Sequence, residues 1–318
     1  MMEAIGGYFE LELNNDVEYH KNALKLNTGR NCLEYILRVK NYKKIYIPYY
    51  TCEVILEPIK KLKISFEFYY IDKNLNPVFE KKIQTNEAFL YTNYFGIKQT
   101  TVKQLAAKFG ENLIIDNAQA FFDKPLKNID TFYSARKFFG VPDGAYLYTN
   151  KKFEKKLEQD ISYKRFEHLL GRIDLGAEQF YQSFKNNDAS LIEKPIKTMS
   201  NLTCKILRSI NYQKIKKRRC ENFLLLHNTL KNTNQLNLEI EPNTVPMVYP
   251  YFVNNGSELK KKLIQNKIFV ATYWTNVFNL AKENSFEYKL AKYLLPLPID
   301  QRYKIEDMKR IINLLSDY

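Results

Sequence analysis

Hydrophobic and polar positions in the first half of the chain follow two periods in turn. Short apolar or alternating runs predict strands at Ile45–Ile47, Ile64–Phe68, Ala88–Thr92, Leu113–Ile115, Thr131–Tyr133 and Ala145–Tyr148. Apolar residues at helical spacing lie between them and predict helices over Val54–Leu62 and Thr101–Phe109. Strands that alternate with helices indicate an α/β fold whose sheet is mostly parallel and covered by helices on both faces.

The second half of the chain has a different pattern. Residues 151–232 are polar, show helical spacing and contain no clear strand pattern. A smaller α/β pattern follows, with strands near Val245–Val253 and Ile268–Tyr273 and helices near Ser257–Ile264, Phe286–Leu294 and Ile305–Leu315. We therefore predict a large α/β domain over residues 1–210 and a small C-terminal α/β domain over residues 211–318.

Composition narrows the class of protein. No apolar run approaches the roughly 20 residues that span a membrane, and MMEAIGGYFELEL lacks the pattern of a signal peptide. We expect a cytoplasmic protein with no membrane partner. The four cysteines and three histidines are dispersed without metal-ligand spacing, which argues against a metal site.

The net charge of +14 attracts anions, including nucleic acids and phosphorylated metabolites. The densest basic run, KIKKRR at 214–219, has helical spacing and is predicted to be a solvated helix face. No nucleic-acid-binding module surrounds that run, so we expect no nucleic-acid partner.

Asp116 directly follows a fully apolar strand pattern in LIIDNAQAFF. Ligands of open α/β sheets bind at the carboxyl ends of strands, and a carboxylate there is costly unless it meets a cation or several donors. One such cation is the protonated ring nitrogen of pyridoxal phosphate (PLP), because an acid at that nitrogen keeps the ring electron-withdrawing. A helix cap or a turn residue explains the same position, so Asp116 by itself leaves both interpretations open.

Lys137 lies in YSARKFFGVPDGAYLY, between a predicted strand and a turn rich in Pro and Gly. Its aromatic neighbours suggest a partly desolvated amine, and desolvation makes lysine a better nucleophile by lowering its pKa. Ser134, three positions earlier, is a candidate donor to a cofactor phosphate. The alternative is a surface lysine beside Arg136 in a basic loop.

The third candidate is the turn Thr28-Gly29-Arg30-Asn31 in LNTGRNCLEYIL, directly before a predicted helix. Free N–H groups and the positive end of the helix dipole favour a phosphate at such a position, and Arg30 adds a charged donor. An ordinary helix entry capped by Thr28 or Asn31 is the alternative.

The order of phosphate turn, strand-end Asp and Lys resembles that of the DegT/DnrJ/StrS-type nucleotide-sugar aminotransferases, which are PLP enzymes of fold type I. DNAQAFF resembles the family's EDAAQA motif, and YSARKFFGVPDGA resembles its lysine loop. IGGYFELEL, IYIPYYTCEVILEPI, YTNYFGI and LPLPIDQRYKIEDMKRI are similar to further family segments, so the resemblance covers nearly the whole chain.

The resemblance implies a role for each candidate residue. Lys137 would carry PLP, Asp116 would contact the ring nitrogen and Gln119 the ring hydroxyl. The turn at 28–31 and Ser134 would hold the phosphate. Cys52 stands where the family often has the aromatic residue that stacks on the ring, which leaves the stack to Tyr49 or Tyr50, with Tyr50 as our choice.

The resemblance also implies the architecture and the reaction. We expect a large domain with a mostly parallel seven-stranded sheet, a smaller C-terminal α/β domain, and a homodimer. The expected substrates are an amino acid, by analogy glutamate, and a nucleotide-linked keto-sugar. KTMS (197–200) replaces the segment whose Asn reaches the partner subunit's phosphate in the family.

Two alternatives remain at the level of sequence. Related PLP-dependent dehydratases have histidine in place of the lysine, so Lys137 favours transamination. A non-catalytic relative that binds a nucleotide sugar is the alternative from another class of protein. Two departures from the family motivate it: the offset of three residues between Ser134 and Lys137 is shorter than the family's usual one, and KTMS replaces the segment with the partner-reaching Asn.

Overall fold

A computed structural model describes residues 5–316 of the chain. Residues 1–4 and 317–318 lie outside the described residues. The first four begin the segment MMEAIGGYFELEL, for which no signal peptide was predicted. Within the described part, no helix combines the length and the apolar character that crossing a membrane requires.

The larger of two sheets has eight strands, which in chain order are β1 (Leu24–Leu26), β2 (Lys44–Pro48), β3 (Ser65–Ile71), β4 (Pro77–Val78), β5 (Glu87–Thr92), β6 (Leu113–Asp116), β7 (Asp130–Ser134) and β8 (Ala145–Tyr148). Across the sheet the order is β1-β8-β7-β6-β5-β2-β3-β4. The strands from β3 to β7 in that order run parallel, while β8 and β4 run against their neighbours.

Eleven α-helices lie in the described residues: α1 (Gly29–Lys40), α2 (Leu56–Lys61), α3 (Gln99–Phe109), α4 (Glu167–Leu175), α5 (Tyr181–Ser190), α6 (Asn201–Arg208), α7 (Tyr212–Leu230), α8 (Gly256–Gln265), α9 (Val277–Leu280), α10 (Phe286–Tyr293) and α11 (Ile305–Ser316). Short 3-10 helices cover Glu53–Ile55, Tyr94–Gly96, Gly110–Asn112, Ala135–Lys137 and Tyr163–Arg165. The second sheet pairs β9 (Val248–Phe252) with β10 (Leu294–Pro298) antiparallel.

Alternate residues of the central strands build separate cores on the two faces of the large sheet. Leu90 and Ile114 face the side covered by α1 and α2, whereas Phe89 and Ile115 face a core that extends into the C-terminal part of the chain. This burial on both faces is typical of parallel strands, which read as continuous apolar runs. The predicted α/β fold with a mostly parallel sheet is therefore confirmed.

The sheet has one strand more than the seven that the resemblance implies. The sequence pattern predicted six of the eight strands and missed β1 and β4, and the two residues of β4 pair only with the end of β3. A two-residue strand has no period for a sequence pattern to show. The domain boundary at residue 210 stays a prediction.

The strand predicted near Ile268–Tyr273 is wrong. Ile268 and Val270 are buried while Phe269 is exposed, so the alternation is real. The edge of β9 is paired instead with β10, which begins at Leu294, where a helix was predicted to end. An alternating sequence pattern predicts which side chains are buried. A strand also requires a neighbouring strand with which its backbone forms hydrogen bonds.

Candidate active site

Asp116 ends β6 at the carboxyl edge of the sheet, beside Thr92 of β5 and Phe132 of β7. It is 7% exposed, and within the described chain the one hydrogen bond of its carboxylate is donated to Oδ1 by the backbone N–H of Ala118, at 2.8 Å. Burial raises the pKa of Asp116, and the positive charge of Lys137 acts against that rise. The acid and the amine predicted from sequence thus lie within electrostatic reach of each other.

Lys137 is the last residue of a 3-10 turn that follows β7. Phe138 and Phe139 each donate a backbone N–H to the carbonyl of Ala135, at 3.0 and 2.9 Å, and so close the turn. Both aromatic rings are buried, whereas the Lys137 side chain is exposed, so the partial desolvation suggested by its neighbours is wrong for this side chain. Within residues 5–316 Lys137 has neither a hydrogen bond nor an ion pair.

The helix α1 begins close to the lysine turn. Asn27, just before it, accepts the N–H of Gly144 at 2.7 Å, and the carbonyl of Gly144 accepts the N–H of Ala135 at 3.0 Å. Asp116 contributes to a raised pKa of Cys32 in the first turn of α1, after burial as the main cause. The predicted phosphate turn, the acid and the lysine therefore lie at one edge of the sheet.

Individual residues of the predicted phosphate turn have different environments. Thr28 caps α1 by accepting the N–H of Asn31 at 3.2 Å. The Asn31 amide donates to Asn27 at 2.7 Å and to the carbonyl of Pro195 at 3.0 Å. Arg30 is paired with Glu57 at 2.5 Å, so its charge is already neutralised. Within the described chain, neither the backbone N–H of Gly29 nor the hydroxyl of Ser134 has a hydrogen-bond partner. Their contact with a phosphate stays a prediction.

Gln119 is fully buried three residues after Asp116. Its Oε1 accepts the backbone N–H of Phe95 at 2.7 Å, and its Nε2 has no partner among the described residues. Gly96 lies against it with a φ of +73°, and a Cβ there would approach the Gln119 carbonyl to 2.7 Å. Contact of Gln119 with a cofactor hydroxyl stays a prediction.

The structure does not present Tyr50 to the site. Its side chain is 0% exposed, because the ring packs against Tyr94 and Trp274 at centroid distances of 5.6 and 5.0 Å. No face is open for stacking. Cys52, two residues later, is half-buried; burial raises the pKa of its thiol, and the charge of Lys137 opposes that rise.

Asp143, in the loop that follows Lys137, is a buried acid that the sequence showed only as part of a turn. It is completely buried and accepts hydrogen bonds from Ser200 N and Oγ, both at 3.2 Å, and from the Thr203 hydroxyl. Arg165 lies 3.7 Å from its other side. The KTMS segment, expected near a partner subunit, thereby contacts the lysine loop of its own chain.

Solved structures share this architecture over nearly the whole chain. DesV of S. venezuelae, in complex with a ketimine intermediate, superposes with a TM-score of 0.63 at 16% identity, over 93% of this chain and 84% of that one. The PMP form of the putative sugar aminotransferase Spr1654 of Streptococcus pneumoniae has a TM-score of 0.60 at 15% identity, over 93% and 87%.

A DegT DnrJ EryC1 StrS aminotransferase of Brucella abortus has a TM-score of 0.58 at 14% identity, over 93% of this chain and 85% of that one. No protein-family model matches the sequence, and no curated protein matches it either. At these identities the likeness concerns the fold. The chain thus has the fold of the sugar aminotransferases across more than nine-tenths of its length.

Proposed function

We propose that this protein is a PLP-dependent aminotransferase that moves an amino group from an amino acid, by family analogy glutamate, to a nucleotide-linked keto-sugar. One observation carries the proposal. A buried acid, Asp116, ends β6, and Lys137, which has no ion pair in the described chain, lies on the turn directly after the adjacent β7, so both are at the carboxyl edge of the parallel sheet. That pair occurs within the fold of known sugar aminotransferases.

The donor and acceptor groups of the site suit PLP. An anionic partner for a ring nitrogen is present in Asp116, whose Oδ2 has no hydrogen bond in the described chain. The unpaired Lys137 amine suits the cofactor aldehyde, and the Gly29 backbone and the Ser134 hydroxyl suit its phosphate. When bound, PLP supplies an electron-withdrawing ring.

Each residue then has a task that its position allows. Asp116 keeps a proton on the ring nitrogen, because a buried carboxylate is stabilised by a cation at contact distance. Lys137 binds the cofactor and afterwards moves a proton on the substrate side of the ring. The dipole of α1 and its first N–H groups orient the phosphate end.

A half-reaction tests the proposal. Purified protein is loaded with PLP, mixed with glutamate, and followed by visible absorbance for conversion of the cofactor to pyridoxamine phosphate. Borohydride reduction followed by peptide mapping identifies the residue that holds PLP, which we expect to be Lys137. Lys137→Ala is the control, since it retains the fold and lacks the amine.

Each result has one interpretation. Conversion in the wild type and none in Lys137→Ala supports the proposal. Equal behaviour of the two proteins means that Lys137 is not the catalytic amine. A wild-type protein that gains no visible absorbance with PLP, yet binds a nucleotide sugar in calorimetry, is a binding protein.

A further inference from the structure

Arg219 departs from the rest of the basic run in α7. The run 214–219 was predicted to be a solvated face, but the Arg219 side chain is only 1% exposed. No carboxylate lies within 4.0 Å of it in the described chain; nearby Asp300 is paired with Arg302 at 2.7 Å. A buried cation is costly unless its donors are used, so the acceptors around Arg219 explain its position.

Neutral groups take up the donors of Arg219. Its Nε donates to Oε1 of Gln301 at 3.2 Å, and its Nη1 donates to the carbonyl of Met247 at 2.9 Å. The guanidinium also lies over the Phe138 ring, 4.6 Å from the centroid. Phe138 directly follows Lys137, so the buried cation packs against the neighbour of the proposed catalytic amine.

Gln301 extends this contact to the backbone of the lysine turn. Its Nε2 donates to the carbonyl of Phe138 at 2.7 Å. An amide has a donor end and an acceptor end, so the donation from Arg219 to Oε1 fixes the NH2 group on the side of Phe138. Arg219 therefore orients Gln301, and Gln301 holds the turn.

A second hydrogen bond of Arg219 connects it to Gln119 through the backbones of Met247 and Phe95. Met247, whose carbonyl accepts from Arg219, donates its N–H to the carbonyl of Phe95 at 2.8 Å. Phe95 in turn donates to the side chain of Gln119 at 2.7 Å. One guanidinium thus anchors the segments that carry both the lysine turn and a predicted cofactor contact.

We propose that Arg219 and Gln301 are positioning residues that hold the Lys137 turn in the orientation needed to bind PLP. The proposal rests on the proposed function for the identity of the cofactor. Direct contact with substrate is excluded for Arg219 because its side chain is enclosed. Both residues lie outside the motifs that resemble the lysine loop, and they reach it only through the fold.

Gln301→Glu tests the proposal most sharply. The introduced carboxylate still accepts from Arg219, and more strongly, but it has no donor for the Phe138 carbonyl. We expect a thermal midpoint equal to or above that of the wild type. In the cofactor-free protein, the amides of Phe138, Phe139 and Val141 should exchange about five- to tenfold faster, as expected for loss of one hydrogen bond.

Binding of PLP gives a second measurement. Titration of cofactor-free protein, followed by visible absorbance, should show a dissociation constant raised about five- to tenfold in Gln301→Glu. Arg219→Lys keeps the charge and loses the planar arrangement of donors, so it should give the same two changes. If Arg219→Lys does not fold, Gln301→Glu still decides the matter.

Asn234→Asp is the matched control. The Asn234 amide accepts the N–H of Phe252 at 3.0 Å and donates to the carbonyl of Pro250 at 2.9 Å, so this change also keeps an acceptor and removes a donor to a carbonyl, but neither bond involves Gln301 or the lysine turn. This variant should lower the thermal midpoint without speeding exchange in the lysine turn. Wild-type exchange rates and PLP affinity in Gln301→Glu, or equal acceleration in the control, would overturn the proposal. Failure of the wild type to bind PLP would instead count against the proposed function. The exchange rates would still test whether Arg219 and Gln301 hold the lysine turn.

Discussion

At the scale of single residues, Asp116 combines a buried carboxylate with a nearby positive charge. Burial disfavours the ionised form, and the Lys137 ammonium favours it, so the state of the acid depends on what occupies the site. A protonated ring nitrogen bound at this edge would supply a further positive charge next to Asp116 and would favour its ionised form.

Asp116→Asn should therefore retain PLP and lose the reaction. A neutral amide does not keep the ring nitrogen protonated, and we expect the glutamate half-reaction to slow by about 100-fold or more. Stopped-flow absorbance measures the rate, and the visible absorbance of the bound cofactor serves as the control for loading. A variant within threefold of the wild-type rate would contradict the role given to Asp116.

Asp123 provides a test of the electrostatics that is independent of any ligand. Burial raises its pKa to about 6, although the amides of Gln99 and Asn93 donate to it at 2.9 and 2.7 Å. The folded protein thus holds this proton at a higher pH than the unfolded chain does. The contribution of Asp123 to stability is greatest below pH 4 and falls as the pH rises to 6.

Replacing Asp123 by Asn removes that dependence. The free energy of unfolding of Asp123→Asn minus that of the wild type should rise between pH 4 and pH 7, by up to about 3 kcal/mol. Urea unfolding at each pH measures the difference. A difference that is flat or falls over this range would show that the folded-state pKa of Asp123 is not raised.

Sequence and structure agree best for residues whose location follows from the end of a strand. Asp116 and Ser134 end buried strands, and parallel strands bring their carboxyl ends together, so proximity of these ends follows from pattern alone. The environments of Arg30, Tyr50 and Arg219 depend on partners distant in sequence, such as Glu57 and Trp274. No local pattern encodes those contacts.

At the scale of elements, the lysine loop is held by the helix that follows the KTMS segment. Ser200 caps α6 by accepting the N–H of Thr203 at 3.2 Å, and Ser200 also donates to Asp143 in the loop. Gly144, next to Asp143, has a φ of +111°, and a Cβ there would lie 3.0 Å from the Thr203 side chain. The close approach of loop and helix explains why glycine stands at this position.

Asp143→Ala should separate these two elements. The change leaves the Ser200 N–H and the Thr203 hydroxyl buried without an acceptor, and we expect a loss of about 2–4 kcal/mol in the free energy of unfolding. Urea denaturation measures it. Glu154→Ala, at an exposed position, is the control and should stay within about 0.5 kcal/mol of the wild type. A similar small effect in Asp143→Ala would contradict the structural role of the carboxylate.

Elements with a full period in the sequence were predicted well, and short or edge elements were not. The helices α3 and α8 and the strands β5 and β6 fall within two residues of their predicted limits. The three-residue β1 pairs at the edge with β8, and its sequence LKL is too short to show a strand period. Such a short strand forms because a neighbouring strand pairs with it. Its formation therefore depends on the sheet and not on the sequence of the segment alone.

At the scale of the whole molecule, residues 161–192 carry an unusual number of exposed apolar side chains. They are Ile161, Tyr163, Leu170, Ile173, Leu175, Tyr181, Phe184 and Ile192. Exposed apolar side chains concentrated in one segment are typical of interaction sites in soluble proteins. The homodimer expected from the family resemblance would give it a partner.

We expect the wild type to sediment as a dimer and Ile173→Asp to weaken that dimer. Ile173 is 80% exposed on α4, and a buried charge at an interface should raise the dissociation constant at least about tenfold. Sedimentation equilibrium measures both proteins. Val78→Asp, on the edge strand β4, is the control and should leave the dimer unchanged. A monomeric wild type at micromolar concentration would remove this surface from consideration as a self-association site.

The hydrogen bond from Gln301 to Phe138 joins residues that are 163 positions apart. During translation the ribosome adds Lys137 long before it adds Gln301, so in a nascent chain the turn that carries Lys137 still lacks this hydrogen bond. Under the proposed function, tight binding of the cofactor then waits until the segment around residue 301 has been synthesised and has packed against the turn. Loss of that segment to a protease would loosen the cofactor site without touching any of its motifs.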